Sequence, residues 1–170
     1  GFGGGIANEE RGKTGDLIVN LANSIVADNS VGKGGTSPDI AGEITSGDYN
    51  HIEDISNVVF APLANDILGI DADLSALANN GGNTFSYLPS LLSPVIDTIP
   101  SGTNGCGTSP FDSDQRGFNR PNDSNNDKIA ACEKGSVEYI LSNSVEVSIA
   151  GKVSDNQTRG IKNAIVTFTD

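Results

Sequence analysis

The sequence predicts an all-β protein made of many short strands that are separated by tight corners. Gly accounts for 21 of 170 residues, aromatic residues for only 5%, and Trp is absent. Gly, Asn, Ser and Asp favour turns and caps over helix interiors. Alternating apolar residues, which are typical of strands, return about every 20–25 residues, the range of one solenoid repeat. Disorder is the competing interpretation of such polarity, and the regular return of Val, Ile and Leu argues against it.

The first well-patterned segment, residues 16–29, is predicted to hold two short strands. Its inward positions alternate with polar ones: Leu17, Val19, Leu21, Ile25 and Ala27. Asn20 and Asn23 lie between them. An interior filled by apolar residues, with Asn bonding along the stack at corners, is typical of a stacked-coil solenoid.

The following segments continue the same pattern. In residues 39–54 the expected inward positions are Ile40, Ile44, Tyr49 and Ile52. Residues 58–68 are the most apolar run and predict a strand or a short helical turn, since Pro62 excludes a long helix.

Two later segments are predicted to have other structures. A helical turn is predicted to start near Asp73, carry Leu74, Leu77 and Ala78, and stop at Asn80-Gly81-Gly82. Residues 88–99 contain two prolines and predict an extended segment that lies against the body and covers its open end.

Residues 106–139 are too polar to fold by burying their own side chains. Cys106 and Cys132 suggest a disulfide and an oxidising compartment, with two free buried thiols as the alternative. Arg116 and Arg120 predict a structural cap in which guanidinium groups hold acidic partners, namely Asp112, Asp114 or Glu138. An anion or sugar-acid clamp is the functional alternative.

A calcium loop is a further expectation for this segment. Asp123, Asn125 and Asp127 place three oxygens on one side of a turn, and Glu133 or Glu138 would help to complete the six to eight ligands that Ca²⁺ requires. The EF-hand spacing is not met, because Lys128 stands where a glycine would help. Polar Asx-turn packing without a metal is the alternative.

Charge and single residues exclude several functions. The net charge of −12 makes nucleic acid an improbable partner, because its phosphates would be repelled. His51, the only histidine, is interpreted as a surface or stacking imidazole and not as a general base. No serine lies in a nucleophile motif, and no run is long enough for membrane insertion. The chain lacks Met, which predicts a processed product or a fragment.

Several blocks together resemble a known family. GGGIANE, LANSIVADN, DIAGEITSGDYNHIED, GIDADLSALANNGG, LPSLLSPVIDTI, DQRGFNRP and CEKGSVEY occur in this order. They are similar to the end region of bacterial surface proteins with right-handed parallel β-helices and polymorphic-outer-membrane-protein-like repeats. The resemblance covers roughly residues 1–140. It departs from the family at Ser136, where Ala is expected, and at FSYLPS, where a His often precedes the leucines.

The resemblance implies terminal coils of a right-handed parallel β-helix at residues 1–57 and a loop-rich capping region at 58–141. Residues 142–170 resemble the opening strands of a carboxypeptidase-regulatory-like or Ig-like sandwich. Two or three strands are marginal alone, so they are disordered, fold back, or add to a neighbouring molecule. The expected assembly strand carries apolar residues at Ile161, Ala164, Val166 and Phe168.

The function expected from these observations is structural and non-catalytic. We expect a secreted or cell-surface protein that serves adhesion, surface display or fibre building, as a homo-oligomer or filament. A glycan or another cell-surface molecule is the expected class of ligand. The alternatives are the non-catalytic end of a carbohydrate-active β-helix enzyme, a lyase or hydrolase, and a glycan-binding module. Fold analogy alone supports these alternatives.

Overall fold

A computed structural model describes residues 4–8 and 18–141 of the chain. These residues form an all-β structure without a helix, in several short sheets of which none is closed. The described strands, in chain order, are β1 Ile6–Asn8, β2 Asn20–Leu21, β3 Ile25–Val26, β4 Ile40–Ser46, β5 His51–Ile52, β6 Val58–Ala61, β7 Ile67–Leu68, β8 Ile99–Pro100 and β9 Ala131–Cys132.

The first seven strands, which we call the parallel stack, pair only in parallel. One sheet has β4 at its centre, with β1 and β2 on one edge and β6 on the other; the second has the order β3-β5-β7. In the second sheet Ile25 pairs with His51, and His51 pairs with Ile67. Parallel strands need a crossover connection. From β2 to β7, consecutive strands lie alternately in the first and in the second sheet, and we call each pair of such strands a coil.

The core of the parallel stack lies between these two sheets. Its buried members are Val26, Ile40, Ile44 and Ile52. Val19, Leu21, Val58, Phe60 and Leu68 pack against them. The inward positions predicted at Ile40, Ile44 and Ile52 are confirmed, since all three are buried in this core. Tyr49, the fourth, is also buried, but it packs with Ile99, Cys106 and Cys132 outside this core.

Two details of the first coil differ from the prediction. Val26 is buried, whereas Ile25 and Ala27 are only half-buried. The phase changes because the chain turns at Asn23, whose φ of 52° interrupts the strict alternation. Leu17 lies outside the described residues.

The spacing of the coils is also less regular than the sequence suggested. Paired residues are 26 positions apart between Ile25 and His51, and 16 apart between His51 and Ile67. The longer coil contains the Gly-rich segment 31–38. The parallel stack continues to Leu68, beyond the boundary that was expected after residue 57.

Residues 69–141, which we call the cap, contain turns and isolated bridges. The helical turn predicted at Leu74–Ala78 is wrong: Leu74 bridges Pro89, and Ala78 bridges Ser86, both antiparallel. The Asn80-Gly81-Gly82 turn folds the chain back, so that amides bond across the two arms instead of along a helix. The apolar spacing alone could not distinguish these outcomes.

Residues 88–99 form consecutive turns and not the predicted extended segment. The amide of Ser93 donates to the carbonyl of Ser90 (3.1 Å), and the amide of Ile96 donates to that of Ser93 (3.3 Å). Only Ile99 and Pro100 are in a strand, where they pair antiparallel with Cys132 and Ala131. Serine hydroxyls and prolines favour this succession of turns. No helix of the described chain is both long and apolar enough to cross a membrane.

Candidate functional site

The cap contains a disulfide that joins two of its segments. Cys106 and Cys132 are joined, with an Sγ–Sγ distance of 2.06 Å across a sequence separation of 26 residues. They form a small buried cluster with Tyr49 and Ile99. Tyr49 belongs to the parallel stack, so this cluster attaches the cap to the stack.

Arg116 holds three separated parts of the chain. Its side chain forms an ion pair with Asp114 (Nη2–Oδ2, 2.8 Å) and donates to the carbonyls of Asn80 and Glu138. The guanidinium also lies over the Phe118 ring, 4.6 Å from its centroid. Through these contacts Arg116 joins its own loop to the segments that contain Asn80 and Glu138.

Asp114 is the acceptor around which this arrangement is built. Its carboxylate accepts from the amides of Arg116 (2.7 Å), Phe118 (3.1 Å) and Glu138 (3.0 Å). Burial raises the pKa of Asp114, but these bonds and the Arg116 side chain outweigh burial, so the pKa is lowered overall. Asp112 is the other acidic partner considered from the sequence. Its main-chain carbonyl accepts from the main-chain amide of Arg120 (2.9 Å).

Arg120 and Glu138 form the second buried ion pair of the cap. Arg120 Nε lies 2.7 Å from Glu138 Oε1, and Arg120 also donates to the carbonyl of Gly135 (2.8 Å). Glu138 is fully buried. Burial raises the pKa of Glu138, and the adjacent Glu133 carboxylate raises it further, against the attraction of Arg120.

The expected calcium ligands separate into two groups. Asp123 accepts from the amides of Asp127 (3.1 Å) and Lys128 (3.0 Å), and Asp127 accepts from the amide of Ile129 (2.8 Å). The oxygens of this loop are therefore used in turns of the Asx type. Glu133 is fully buried beside Glu138, whereas residues 125–130 are exposed. In the described part of the chain, no group of three or more His, Cys, Asp or Glu side chains could hold a metal ion.

Lys134 is a buried cation that was not among the predicted site residues. Its residue is only 2% exposed, and its Nζ donates to the carbonyls of Asn65 (2.6 Å) and Asn50 (3.4 Å). Burial lowers the pKa of Lys134 to about 8, against the attraction of Asp66 and Asp48. The lysine links the end of the cap to two successive coils. No local pattern signals it, because a lysine between Glu and Gly usually remains in water.

His51 is buried, so the surface alternative of its interpretation as a surface or stacking imidazole is wrong. It sits in the middle strand of the second sheet, and its Nε2 lies 2.7 Å from the carbonyl of Ile70. A carbonyl only accepts, so Nε2 carries the proton and Nδ1 is bare. Nδ1 is buried without a partner. Burial lowers the pKa of His51, and the bond to Ile70 opposes this only partly.

Asn50 forms a corner of the parallel stack, a role that was expected of Asn20 and Asn23; Asn23 instead donates to the carbonyl of Asn104 in the cap (2.8 Å). Asn50 is fully buried and donates to the carbonyl of Leu21 in the preceding coil (2.7 Å) and to the carboxylate of Asp66 in the following one (3.1 Å). Its Oδ1 accepts from the amide of Ser24 (3.3 Å). The side chain therefore bonds along the stack in both directions.

A cavity of about 1110 Å³ lies between the first coil and the cap. Its lining is mainly apolar and includes Leu21, Val26, Leu77, Phe85, Tyr87 and Phe111. Arg120, Asp114 and Lys134 also reach its wall, but their polar groups are directed to the protein contacts given above. No nucleophile is paired with a base in this cavity, within residues 4–8 and 18–141.

The predicted assembly strand, with Ile161, Ala164, Val166 and Phe168, lies outside the described residues. The other predicted site residues all lie in the described part of the chain. The two cysteines are bonded to each other, and Asp114, Arg116, Arg120 and Glu138 contact one another. The four expected calcium ligands do not come together. Comparison with protein-family models, with curated proteins and with solved structures finds no match to this chain.

Proposed function

We propose that this chain is a non-catalytic structural protein of the extracellular space or cell surface, with a role in adhesion, surface display or fibre building. In this proposal residues 4–68 are the last coils of a right-handed parallel β-helix, and residues 69–141 close its end.

The observation that carries the proposal is that buried polar side chains bond to main-chain groups of the protein itself. Asp114, Arg116 and Lys134 all hold backbone groups from separate segments. A catalytic site instead needs polar groups that remain available to a substrate. Together with the disulfide, this arrangement favours a rigid end-piece of a longer structure over an enzyme.

Stacked parallel coils also support a role in extended assemblies. Each coil contacts only its neighbours, so the same core can be continued for many layers. The parallel rows Ile6–Ile40 and Gly42–Val58 follow this principle. A disulfide is compatible with an oxidising compartment, which supports the proposed location outside the cytosol.

Assembly is proposed to use the segment that contains Ile161, Ala164, Val166 and Phe168 as an added strand in a neighbouring copy. A head-to-tail contact of this kind need not close, and it can therefore build filaments. Val166 and Phe168 alternate with Thr167 and Thr169, as strand addition to a half-buried sheet requires, whereas Ile165 makes the preceding part of the segment apolar on both faces.

Electron microscopy combined with light scattering tests the assembly. The full chain is expected to form filaments or oligomers, and Val166→Asp is expected to abolish them because it puts a charge on the apolar face. Thr167→Asp, at the adjacent polar position, is the matched control and should leave assembly intact. A monodisperse monomer of the unmodified chain at high concentration would contradict this part of the proposal.

A polysaccharide depolymerisation screen tests the absence of catalysis. The chain should release no new reducing or unsaturated ends from acidic or neutral polysaccharides, whereas binding without cleavage on a glycan array is consistent with adhesion. Turnover that is lost on substitution of a single carboxylate would show that the chain is an enzyme.

A further inference from the structure

Two glutamates are buried side by side near the end of the cap. Glu133 and Glu138 are both 0% exposed, although carboxyl groups are almost never fully buried unless they are paired. The amide of Glu133 donates to Oε1 of Glu138 (3.2 Å), so the Glu138 side chain folds back over the bend at Gly135 onto residue 133. The two carboxyl groups, which we call the glutamate pair, lie within hydrogen-bonding distance of each other.

Most oxygens of the glutamate pair meet no donor in the described chain. Oε1 of Glu138 accepts the amide of Glu133 and lies 2.7 Å from Nε of Arg120. The other three oxygens, both of Glu133 and Oε2 of Glu138, are buried without a hydrogen-bond partner. Buried acceptors of this kind are rare, because their lost hydration is not replaced. A proton held between two of the three oxygens supplies a donor and leaves only one of them without a partner.

The cations around the glutamate pair are too few to neutralise two carboxylates. Among the described residues, Arg120 is the only cation that forms an ion pair with it. Arg116 is paired with Asp114 instead, and Lys134 donates to the carbonyls of Asn50 and Asn65. One guanidinium balances one negative charge, so the pair is neutralised when it keeps one proton.

The nearby anions act in the same direction. The carboxylate of Asp114 accepts the amide of Glu138 (3.0 Å), and Asp97 is close enough to Glu133 for their charges to repel. A second negative charge on the glutamate pair would therefore face further acidic groups in a buried place, where water does not screen the repulsion.

The glutamate pair is closed to substrates. Neither glutamate lines the cavity between the first coil and the cap, although the neighbouring Cys132 and Lys134 do. A general acid or base must come within hydrogen-bonding reach of the substrate proton that it moves. Two fully buried side chains do not meet this condition, so the pair acts on the protein itself.

We propose that Glu133 and Glu138 share one proton and form a pH-sensitive latch, which holds the cap closed until the proton is lost in alkaline solution. In the closed state one carboxyl group donates to the other, and the remaining negative charge faces Arg120. Hydroxide takes the proton and becomes water. Two carboxylates then remain against one guanidinium, and the pair separates to reach solvent. In support, burial raises the pKa of Glu138, and the adjacent Glu133 carboxylate raises it further.

Separation of the pair loosens residues 133–139. The main chain of Glu138 connects this segment to the rest of the cap, since its amide donates to Asp114 and its carbonyl accepts from Arg116. Cys132 stays joined to Cys106, so the opening is local. The proposal does not depend on the function proposed above.

Hydrogen exchange of the full chain between pH 6 and pH 8 tests the latch, after correction for the intrinsic pH dependence of exchange. The folded-state pKa is raised, so the stability that the pair contributes is complete below the ordinary glutamate value of 4.5 and is lost as the pH rises. The opening constant at the amides of Lys134, Gly135 and Glu138 should rise about tenfold per pH unit, because one proton leaves on opening. Amides of β4 should show no such rise.

Glu133→Gln is the decisive variant, because its amide donates to Glu138 without a proton that titrates. Its opening constant should not change with pH, whereas Glu43→Gln, at an exposed position, is the matched control and should keep the tenfold dependence. The comparison cancels the contribution of Lys134, whose lowered pKa acts in the opposite direction. The same pH dependence in Glu133→Gln as in the unmodified chain would overturn the proposal.

A carboxyl titration of the unmodified chain decides the question if Glu133→Gln does not fold. In ¹³C NMR spectra of the chain labelled at glutamate, one carboxyl resonance should keep its protonated chemical shift at pH 7. Ionisation of every glutamate carboxyl below pH 6 would show that no proton is shared, and it would refute the latch.

Discussion

His51 shows how a single side chain can make the parallel stack sensitive to acid. Its Nε2 donates to the carbonyl of Ile70, and its bare Nδ1 is buried without a partner. Protonation would place a second N–H on Nδ1 with no acceptor nearby. The pKa of His51 is lowered by burial, so the folded chain binds the proton less readily than the unfolded chain does.

The first prediction concerns this histidine. A lowered pKa means that the contribution of His51 to stability is complete above the ordinary value of about 6.5 and is lost as the pH falls below it. His51→Gln keeps a neutral donor, so it should lose less stability between pH 7.5 and pH 5 than the unmodified chain.

The measurement is the free energy of unfolding in urea at both pH values. Comparing the variant with the unmodified chain removes the contributions of Glu53, Asp97 and Glu138, whose raised pKa values act in the opposite direction. Identical pH profiles for the two chains would show that His51 does not govern the acid response.

Gly42 provides the second prediction at the residue scale. It has a φ of +97°, and a Cβ built there would lie 1.9 Å from the carbonyl oxygen of Asn8. Gly42→Ala should therefore separate β1 from β4 and lower the free energy of unfolding by about 3 kcal/mol, from backbone strain and overpacking together. Gly34→Ala, with a φ of +87° and nothing near the added methyl group, isolates the backbone part and should cost about 1 kcal/mol. Equal losses would mean that the close approach to Asn8 is unimportant.

At the element scale, the disulfide and the apolar core of the parallel stack hold different parts of the molecule. Cys106 and Cys132 connect cap segments, while the core of the parallel stack is held by Ile40, Ile44 and Ile52. The chain-entropy model gives about 3–4 kcal/mol for a loop of this length.

The third prediction is that the double variant Cys106→Ser, Cys132→Ser loses about 3–4 kcal/mol, and that the loss is concentrated in the cap. Hydrogen exchange should accelerate at β8 and β9, while amides of β4 and β5 keep most of their protection. Uniform acceleration across both regions would show that the cap and the stack unfold as one unit.

The elements also show how far sequence reasoning reaches. Alternation predicted the inward row from Ile40 to Ile52, because a buried strand face imposes a period of two. The same reasoning failed at Leu74–Ala78, where apolar spacing fits a helix but the following Asn-Gly-Gly turn folds the chain back. The convergence of Arg116 with Asp114 could be predicted from composition, since arginine in an acidic segment finds carboxylates. Burial of His51 and Lys134 could not, because their partners, Ile70 for His51 and Asn50 and Asn65 for Lys134, are far away in the sequence.

At the scale of the whole molecule, Lys134 is one of several contacts that join the cap to the parallel stack, together with the bonds from Gly135 to Asn23 and from Asn104 to Gly47. It reaches from the end of the cap to carbonyls in two successive coils, at Asn50 and Asn65. Its aliphatic stem is buried as well, so the residue contributes both packing and hydrogen bonds.

The fourth prediction is that Lys134→Ala lowers the free energy of unfolding by about 2–4 kcal/mol, because a large buried side chain is removed and two carbonyls lose their donor. Lys33→Ala, at an exposed position, is the control and should change stability by less than about 0.5 kcal/mol. Urea unfolding followed by circular dichroism measures both. A loss below 1 kcal/mol for Lys134→Ala would show that the stack and cap are held without it.

The contacts of Arg116 have a consequence for synthesis on the ribosome. This one guanidinium bonds to the carbonyls of Asn80 and Glu138, which are far apart in the order of translation. A nascent chain that has not yet reached Glu138 cannot complete these contacts, however much of the coiled part has already formed. The cap therefore cannot complete its folding before residues near Glu138 have been synthesised. Ribosome-bound intermediates should remain sensitive to protease until these residues emerge from the ribosome.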